Sequence, residues 1–140
     1  MTRRPSAVRH ISPAGTIEPT GPWSLATLDT TTGTLYVAGM RGIDPTTNKL
    51  VEGAEARIRQ AFLNMQHIAE SQGASLHLQD CLRIVVYTTD MYRYRPIANK
   101  MQQELWGSGP YPPRTIVEVH RLNDDDIFEV EGTFHVPTAE

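Results

Sequence analysis

The chain has 140 residues, of which 39% are hydrophobic and 21% charged, so we expect one globular domain and not a disordered chain. Its net charge of −3 at pH 7 disfavours a protein that neutralises phosphates, and we predict no nucleic-acid partner. Apolar runs only a few residues long predict neither a membrane span nor a secretory signal, and the single cysteine, Cys81, fits a cytoplasmic location without internal disulfides.

The first segment lacks any hydrophobic period. Residues 1–21 mix Arg, Ser, Pro, Gly and Thr, and we predict an N-terminal arm there, followed by a single domain over residues 22–140. The domain opens with a hairpin. A short strand over residues 23–28 and a second over residues 35–39 are separated by the turn-forming residues 29–33.

Two later segments have the spacing of helices. Apolar residues recur at helical intervals from residue 54 to 71, and Gly73 stands where a C-terminal cap belongs. Pro96 can occupy the first turn of a second helix that ends at Gly107. The apolar residues of this second helix recur every four positions: Ile97, Met101 and Leu105.

Three strands complete the pattern. Residues 81–89 have a nearly continuous apolar centre, as expected of a central strand. Residues 114–122 and 127–134 alternate polar and apolar side chains on either side of an acidic turn. The order of two strands, helix, strand, helix and two strands predicts an α+β fold, with both helices on one face of a mixed sheet.

We predict that the last two strands form a hairpin with Thr115, Val117 and Val119 on the core side. The opposite side then carries charged residues, among them Arg114 and Glu129. In that register the two lie six positions apart, roughly 20 Å, so they could not contact one small substrate within a subunit. They could meet only across an oligomer interface. The alternative is a solvent-exposed face with surface ion pairs.

Other common kinds of site have little support. The histidines and the cysteine lack metal-ligand spacing, and the acidic turn of Asp124, Asp125 and Asp126 is expected to be solvated, so we predict no metal. No nucleophile-elbow or phosphate-loop sequence occurs, and Cys81 is expected to be a buried hydrophobe.

Several blocks of sequence resemble those of the YjgF family, also called the Rid family of reactive-intermediate deaminases. The resemblance covers the chain from about residue 20 to residue 136. Its specific part is Pro113-Arg114-Thr115 with Val117-Glu118-Val119, followed by Phe128-Glu129-Val130-Glu131. Supporting blocks are Leu35-Tyr36-Val37-Ala38-Gly39, Phe62-Leu63-Asn64-Met65 and Val85-Val86-Tyr87-Thr88-Thr89-Asp90-Met91.

The resemblance implies a chorismate-mutase-like (YjgF-like) mixed sheet, assembled as a homotrimer with clefts between subunits. It implies a small-molecule carboxylate substrate, an enamine or imine acid that is hydrolysed to a keto acid and ammonia without metal or organic cofactor. Arg114 would bind the substrate carboxylate through its parallel donors. Glu129 would position water and move its proton. Asn99 and Gly39 would line the cleft.

This chain departs from the family pattern around the expected cleft. Trp23 replaces the usual tyrosine, Ile116 replaces a cysteine and Ala38 replaces a serine. Met40 and Arg41 replace two residues that are usually Gln-Ile. These changes predict a more apolar pocket in which Trp23, Met40, Arg41 and Ile116 contact the substrate. Arg41 could bind a second carboxylate, and the alternative is an exposed loop arginine.

Two other functions fit the same resemblance. One is a non-hydrolytic tautomerase or condensation enzyme that acts on an unstable enamine in biosynthesis or aromatic degradation. The other is a non-catalytic trimer that binds small acids. A ribonuclease role is disfavoured by the acidic net charge.

Overall fold

A computed structural model of the protein describes residues 6–75 and 79–137, so the first five residues of the predicted arm lie outside the described residues. In chain order the elements are β1 (Val8–Ile11), β2 (Ala26–Asp29), β3 (Thr34–Met40), β4 (Ile43–Asp44), β5 (Lys49–Leu50), α1 (Ala54–Ser71), β6 (Cys81–Thr88), α2 (Met91–Trp106), β7 (Arg114–Glu118), a 3-10 turn (Asn123–Asp125) and β8 (Phe128–His135).

Six strands form one mixed sheet in the order β1-β2-β3-β8-β6-β7, and β4 with β5 forms a small separate hairpin. The β6–β7 pair is parallel and the other neighbours in the large sheet are antiparallel. Helix α1 packs on β3 and β8, and α2 packs on α1 and β7. The predicted α+β arrangement, with both helices on one face of the sheet, is confirmed.

The core lies between α1 and the central strands. Phe62 of α1 contacts Phe128 at 5.6 Å and Trp106 at 6.4 Å between ring centroids. Gly132 lets β8 approach the helix, because a Cβ there would lie 2.8 Å from the sulfur of Met65. Each fully buried side chain of this kind contributes roughly 1.5–3 kcal/mol of transfer free energy.

Helix α1 spans the predicted residues. Gly73 adopts φ +88° just after the helix, and its N–H donates to the Glu70 carbonyl, as expected of a C-terminal cap. Helix α2 begins at Met91, five residues before Pro96, so the predicted start was wrong. The Asp90 side chain accepts from Arg93 N, and Glu118 accepts from Met91 N. These two carboxylates satisfy orphan N–H groups that a pattern of apolar residues does not reveal.

The predicted hairpin of the last two strands is wrong. Strand β8 lies between β3 and β6, whereas β7 follows the crossover helix α2 and pairs in parallel with β6. A parallel neighbour requires such a crossover, and the central place gives β8 hydrogen-bonding partners on both edges. The predicted core side of β7 is also reversed, since Val117 is 39% exposed and Ile116 is half-buried on the helix side.

The segment predicted as an arm contains a strand that the sequence pattern missed. Strand β1 pairs with β2 at one edge of the sheet. Ile11 and Ile17 are buried, so part of this segment packs onto the domain. Three of the four residues of β1 are exposed, which explains why an alternating pattern is hard to see there.

Candidate active site

A cavity of about 240 Å³ lies where β3 ends and β8 begins, and Glu129 lines it. We call this cavity the acid pocket; its walls include Ile17, Trp23, Ala38, Gly39, Arg41 and Ile43. Gly39 lies within a bulge of β3 between Val37 and Met40, and a Cβ there would lie only 2.6 Å from Glu129 Cδ. The missing side chain therefore lets the carboxylate rest against the backbone of β3.

Burial raises the pKa of the Glu129 carboxyl above its ordinary value. The charge of Arg41 lowers this pKa, while the charges of Glu131 and Asp126 raise it further. Within residues 6–75 and 79–137, no group donates a hydrogen bond to the Glu129 carboxylate. A carboxylate in this environment can accept a proton from water more readily than an exposed one.

Tyr87 lies directly opposite Glu129 in the β6–β8 ladder, but its hydroxyl donates to Glu131 at 2.5 Å. That hydrogen bond is the main cause of the raised pKa of Tyr87. The tyrosine therefore stays protonated at neutral pH. The Tyr87 hydroxyl therefore donates its hydrogen bond to Glu131 and not to Glu129, which lines the acid pocket.

Arg114 lines a second cavity of about 370 Å³ between β7 and α2, which we call the arginine pocket. Its Nη1 donates to Asn99 Oδ1 and to Gln102 Oε1, each at 2.7 Å. Burial, and to a lesser extent the charge of Arg95, lower the pKa of the Arg114 guanidinium. Among the described residues no carboxylate pairs with this group, and its Nε and Nη2 donate to none of their atoms.

The two pockets lie on opposite faces of the sheet. Arg114 is level with Ile84, whose buried side chain faces the helices, while Glu129 is level with Tyr87 on the open face. Arg114 and Glu129 are three residues apart along the strand direction and two strands apart across the sheet, which is roughly 10 Å in each of these two directions. The expectation that they cannot contact one small substrate within a subunit is confirmed, although the hairpin register that led to it was wrong.

Arg41 is not an exposed loop residue, since only 7% of it is accessible. Its Nη1 donates to the Asn123 carbonyl at 2.9 Å and to Asp126 at 3.1 Å, and its Nη2 pairs with Asp124 at 3.1 Å. Asp126 is 1% exposed, so the expectation that the whole acidic turn is solvated was wrong for this residue. A guanidinium that already binds two carboxylates is a poor receptor for a third.

Of the other residues expected at the site, three line one of the two pockets and two line neither. Asn99 lines the arginine pocket, and Trp23 and Gly39 line the acid pocket. Met40 is fully buried in the core and lines neither pocket, because the bulge in β3 turns it towards the helices. Ile116 is half-buried on the helix side of β7 and lines neither pocket.

The sequence analysis did not identify two residues that border the pockets, Gln102 and Asn123. Gln102 follows Asn99 by three residues, so a helix in this segment places both on one face beside Arg114, and this spacing was available as a signal. Asn123 lies in the acidic turn, and nothing in the local pattern indicates that it borders the acid pocket.

Within the described residues 6–75 and 79–137, no group of three His, Cys, Asp or Glu side chains could hold a metal ion. Burial raises the pKa of the Cys81 thiol to about 12, which makes it a poor nucleophile. Over the same residues, neither helix is long and apolar enough to cross a bilayer.

Comparison with known proteins adds a family to this geometry. The sequence profile of the family described as Endoribonuclease L-PSP matches residues 14–136. A RutC family protein of Pyrococcus horikoshii is 35% identical over 82% of this chain and 87% of its own length. A 2-iminobutanoate/2-iminopropanoate deaminase of Dermatophagoides farinae is 30% identical over 91% of this chain and 95% of its own.

A solved structure supports the fold. A protein of Rhodopseudomonas palustris, titled a probable translation initiation inhibitor, is 43% identical and superimposes with a TM-score of 0.87. The match covers 94% of this chain and 99% of that one. The mixed sheet with two helices is therefore the YjgF-like α+β fold. With the profile and relatives, it shows that this chain belongs to the Endoribonuclease L-PSP family, the YjgF or Rid family.

Proposed function

We propose that this protein is a cytoplasmic enamine or imine deaminase that converts a reactive 2-imino acid and water to a 2-keto acid and ammonia. Two half-sites support the proposal. Within the described residues, one is a guanidinium with two nitrogens that donate to no protein atom, and the other is a half-buried carboxylate that accepts no hydrogen bond. In that part of the chain, the guanidinium could bind a substrate carboxylate but has no base beside it, and the carboxylate could act as a base but has no anion-binding group free beside it. The single observation that carries the proposal is the Glu129 carboxylate, which lies against Gly39 in the acid pocket and accepts no hydrogen bond from the described residues.

The half-sites would combine between copies of the chain. Arg114 of one copy would lie across from the acid pocket of a neighbour in a homotrimer. The open face of the sheet favours such an assembly, because Tyr36 is 53% exposed there, Val117 is exposed and neither α1 nor α2 covers these two residues. A trimer would have a mass of about 47 kDa, three times 15.7 kDa, which light scattering after gel filtration can measure.

The chemistry then follows from the residues. Arg114 binds the substrate carboxylate through Nε and Nη2 while Asn99 and Gln102 hold Nη1. Glu129 takes a proton from water as the water oxygen bonds to the imine carbon. It returns this proton to the nitrogen, which gives a carbinolamine. Glu129 then moves the hydroxyl proton of the carbinolamine to the amine, so the carbon–oxygen double bond forms as the carbon–nitrogen bond breaks and ammonia leaves. No metal or organic cofactor takes part in this scheme.

The walls of the acid pocket favour one class of substrate side chain. Ile17, Trp23, Ala38 and Ile43 are apolar, and Arg41 is already paired with Asp124 and Asp126. A substrate with an uncharged, apolar side chain fits these walls better than a dicarboxylate. The deaminase activity in the names of some relatives is consistent with the proposal.

The test uses imines released from a panel of amino acids by an amino-acid oxidase. The wild type should accelerate keto-acid release, most for leucine- or phenylalanine-derived imines and least for the glutamate-derived imine. Glu129→Gln should lower the rate by roughly hundredfold or more. No acceleration with any imine would reject hydrolysis. If 2-keto acids then still bound tightly to Glu129→Gln, a non-catalytic binding trimer would be the better explanation, and product analysis with enamines would test a tautomerase.

A further inference from the structure

A buried charge network joins the acid pocket to the loop that precedes β8. Arg41 lies at the end of β3 and binds the Asn123 carbonyl, Asp124 and Asp126. Arg57 of α1 pairs with the other oxygen of Asp126 at 3.5 Å. The Arg41 carbonyl is itself fixed, because Asn64 Nδ2 donates to it at 3.0 Å. Both ends of Arg41 are thus anchored.

The two arginines of this network are similar in contact and different in position. Each pairs with Asp126, which is almost wholly buried. Arg41 borders the acid pocket together with Asn123 and Glu129, whereas Arg57 does not. Removal of either cation leaves Asp126 with one cationic partner, but only removal of Arg41 takes a positive charge from the pocket wall.

We propose that Arg41 is a positioning residue of the acid pocket, which holds Asn123 in the wall and keeps a fixed positive charge beside Glu129. This inference rests on the proposed role of Glu129 as the proton acceptor. Asp124 and Asp126 prevent the guanidinium from turning towards a substrate anion. Arg41 is therefore not free to bind a second substrate carboxylate, but its charge remains close enough to Glu129 to lower the pKa of that carboxyl.

Several groups face Glu129 from the elements around it. Arg41 approaches from the end of β3, Asp126 from the preceding loop, Glu131 from β8 and the Tyr87 ring from β6. Of these only Arg41 is a cation. Its charge lowers the pKa of Glu129, against the effects of burial, Glu131 and Asp126. Without it, Glu129 would be ionised only at higher pH, and a base must be ionised to act.

The experiment compares Arg41→Met with Arg57→Met as its matched control. The Glu129 carboxyl is titrated by carbon-13 NMR in each folded variant, so the readout does not require turnover. Arg41→Met should move the Glu129 titration to higher pH, and Arg57→Met should leave it close to that of the wild type. Arg41→Lys, which keeps the charge, should restore the wild-type titration. Where imine hydrolysis is measurable, the acidic limb of kcat/KM should move in the same direction, with a loss of roughly threefold or more at about pH 5.

Equal shifts in Arg41→Met and Arg57→Met, or no shift in either, would overturn the inference. If Arg41→Met does not fold, Asp124→Asn replaces it, because Asp124 is exposed and its loss leaves Arg41 less neutralised. That variant should move the titration to lower pH, and an upward shift or none would count against the proposal. A wild type with no hydrolytic activity would reject the proposed function, while the titration would still decide the role of Arg41.

Discussion

Arg41 and Arg114 are both partly or wholly removed from solvent, yet their partners give them opposite properties. Arg41 is paired with two carboxylates and a carbonyl, so its charge is compensated inside the protein. Arg114 is held by the amide oxygens of Asn99 and Gln102, which orient it without neutralising it. Amide partners leave a guanidinium able to bind an external anion, whereas carboxylate partners make it part of the scaffold.

The largest expected effect comes from removing the charge that neutralises Arg41. Asp126→Asn should lower the free energy of unfolding by about 3–5 kcal/mol, because the buried Arg41 and the partly buried Arg57 then remain without an anion between them. Asp125→Asn in the same turn, whose carboxylate is exposed, should change stability by less than about 0.5 kcal/mol. Urea unfolding measures both. Equal losses in the two variants would mean that burial of the ion pair does not matter.

A second prediction concerns the uncompensated arginine. Arg114→Met should lower kcat/KM for a 2-imino acid by about hundredfold, because two charge-assisted hydrogen bonds to the substrate carboxylate are lost. Its stability should stay close to that of the wild type, in contrast to Arg41→Met. Steady-state kinetics and urea unfolding give both quantities. A severe loss of stability with full activity in the folded fraction would show that Arg114 is structural.

A third prediction turns Arg114 into an arginine like Arg41. Gln102→Glu replaces an amide acceptor with a carboxylate at nearly the same position, so the guanidinium becomes paired within the chain. We expect KM to rise by roughly fivefold, with little change in kcat. Gln103→Glu adds the same charge at an exposed residue that also lines the arginine pocket but does not hydrogen-bond to Arg114, and this variant should alter KM less. Indistinguishable kinetics for the two variants would contradict the difference drawn between the arginines.

The smallest expected effect concerns the raised pKa of Glu129, which the charge of Arg41 lowers only in part. The pKa of Glu129 is raised in the folded state, so the folded protein binds more protons than the unfolded chain between the two pKa values. Wild-type stability should therefore fall as the pH rises through that interval. Glu129→Gln, which cannot ionise, should be slightly more stable than the wild type at neutral pH and should lose this advantage under acidic conditions. Urea unfolding at several pH values measures the difference, and an advantage that grows towards low pH would be inconsistent with a raised pKa.

Local patterns predicted the elements better than their pairing. Helix α1 was found at its observed bounds because its apolar residues recur at helical spacing and Gly73 marks its end. Strand β6 and the first hairpin were also recognised. The start of α2 and the strand β1 were missed, because capping carboxylates and an exposed edge strand leave no apolar period.

The site was predicted in its parts but not in its arrangement. Arg114 and Glu129 were identified through the family resemblance, and their roles remain predictions. The neutralised state of Arg41 was not foreseen, because its partners lie more than 80 residues away along the chain. Long-range ion pairs of this kind have no local sequence signal.

By itself, the sequence determined which residues share a side of each strand, where α1 lies and which charged groups are available for chemistry. Only the tertiary structure decided that β8 lies between β3 and β6, and that Arg114 and Glu129 point to opposite faces. The reason is physical. A period of two shows which side chains lie together, but backbone hydrogen bonds are nearly independent of side chains and do not specify a strand's neighbour. That choice depends on the crossover through α2 and on the packing of the core.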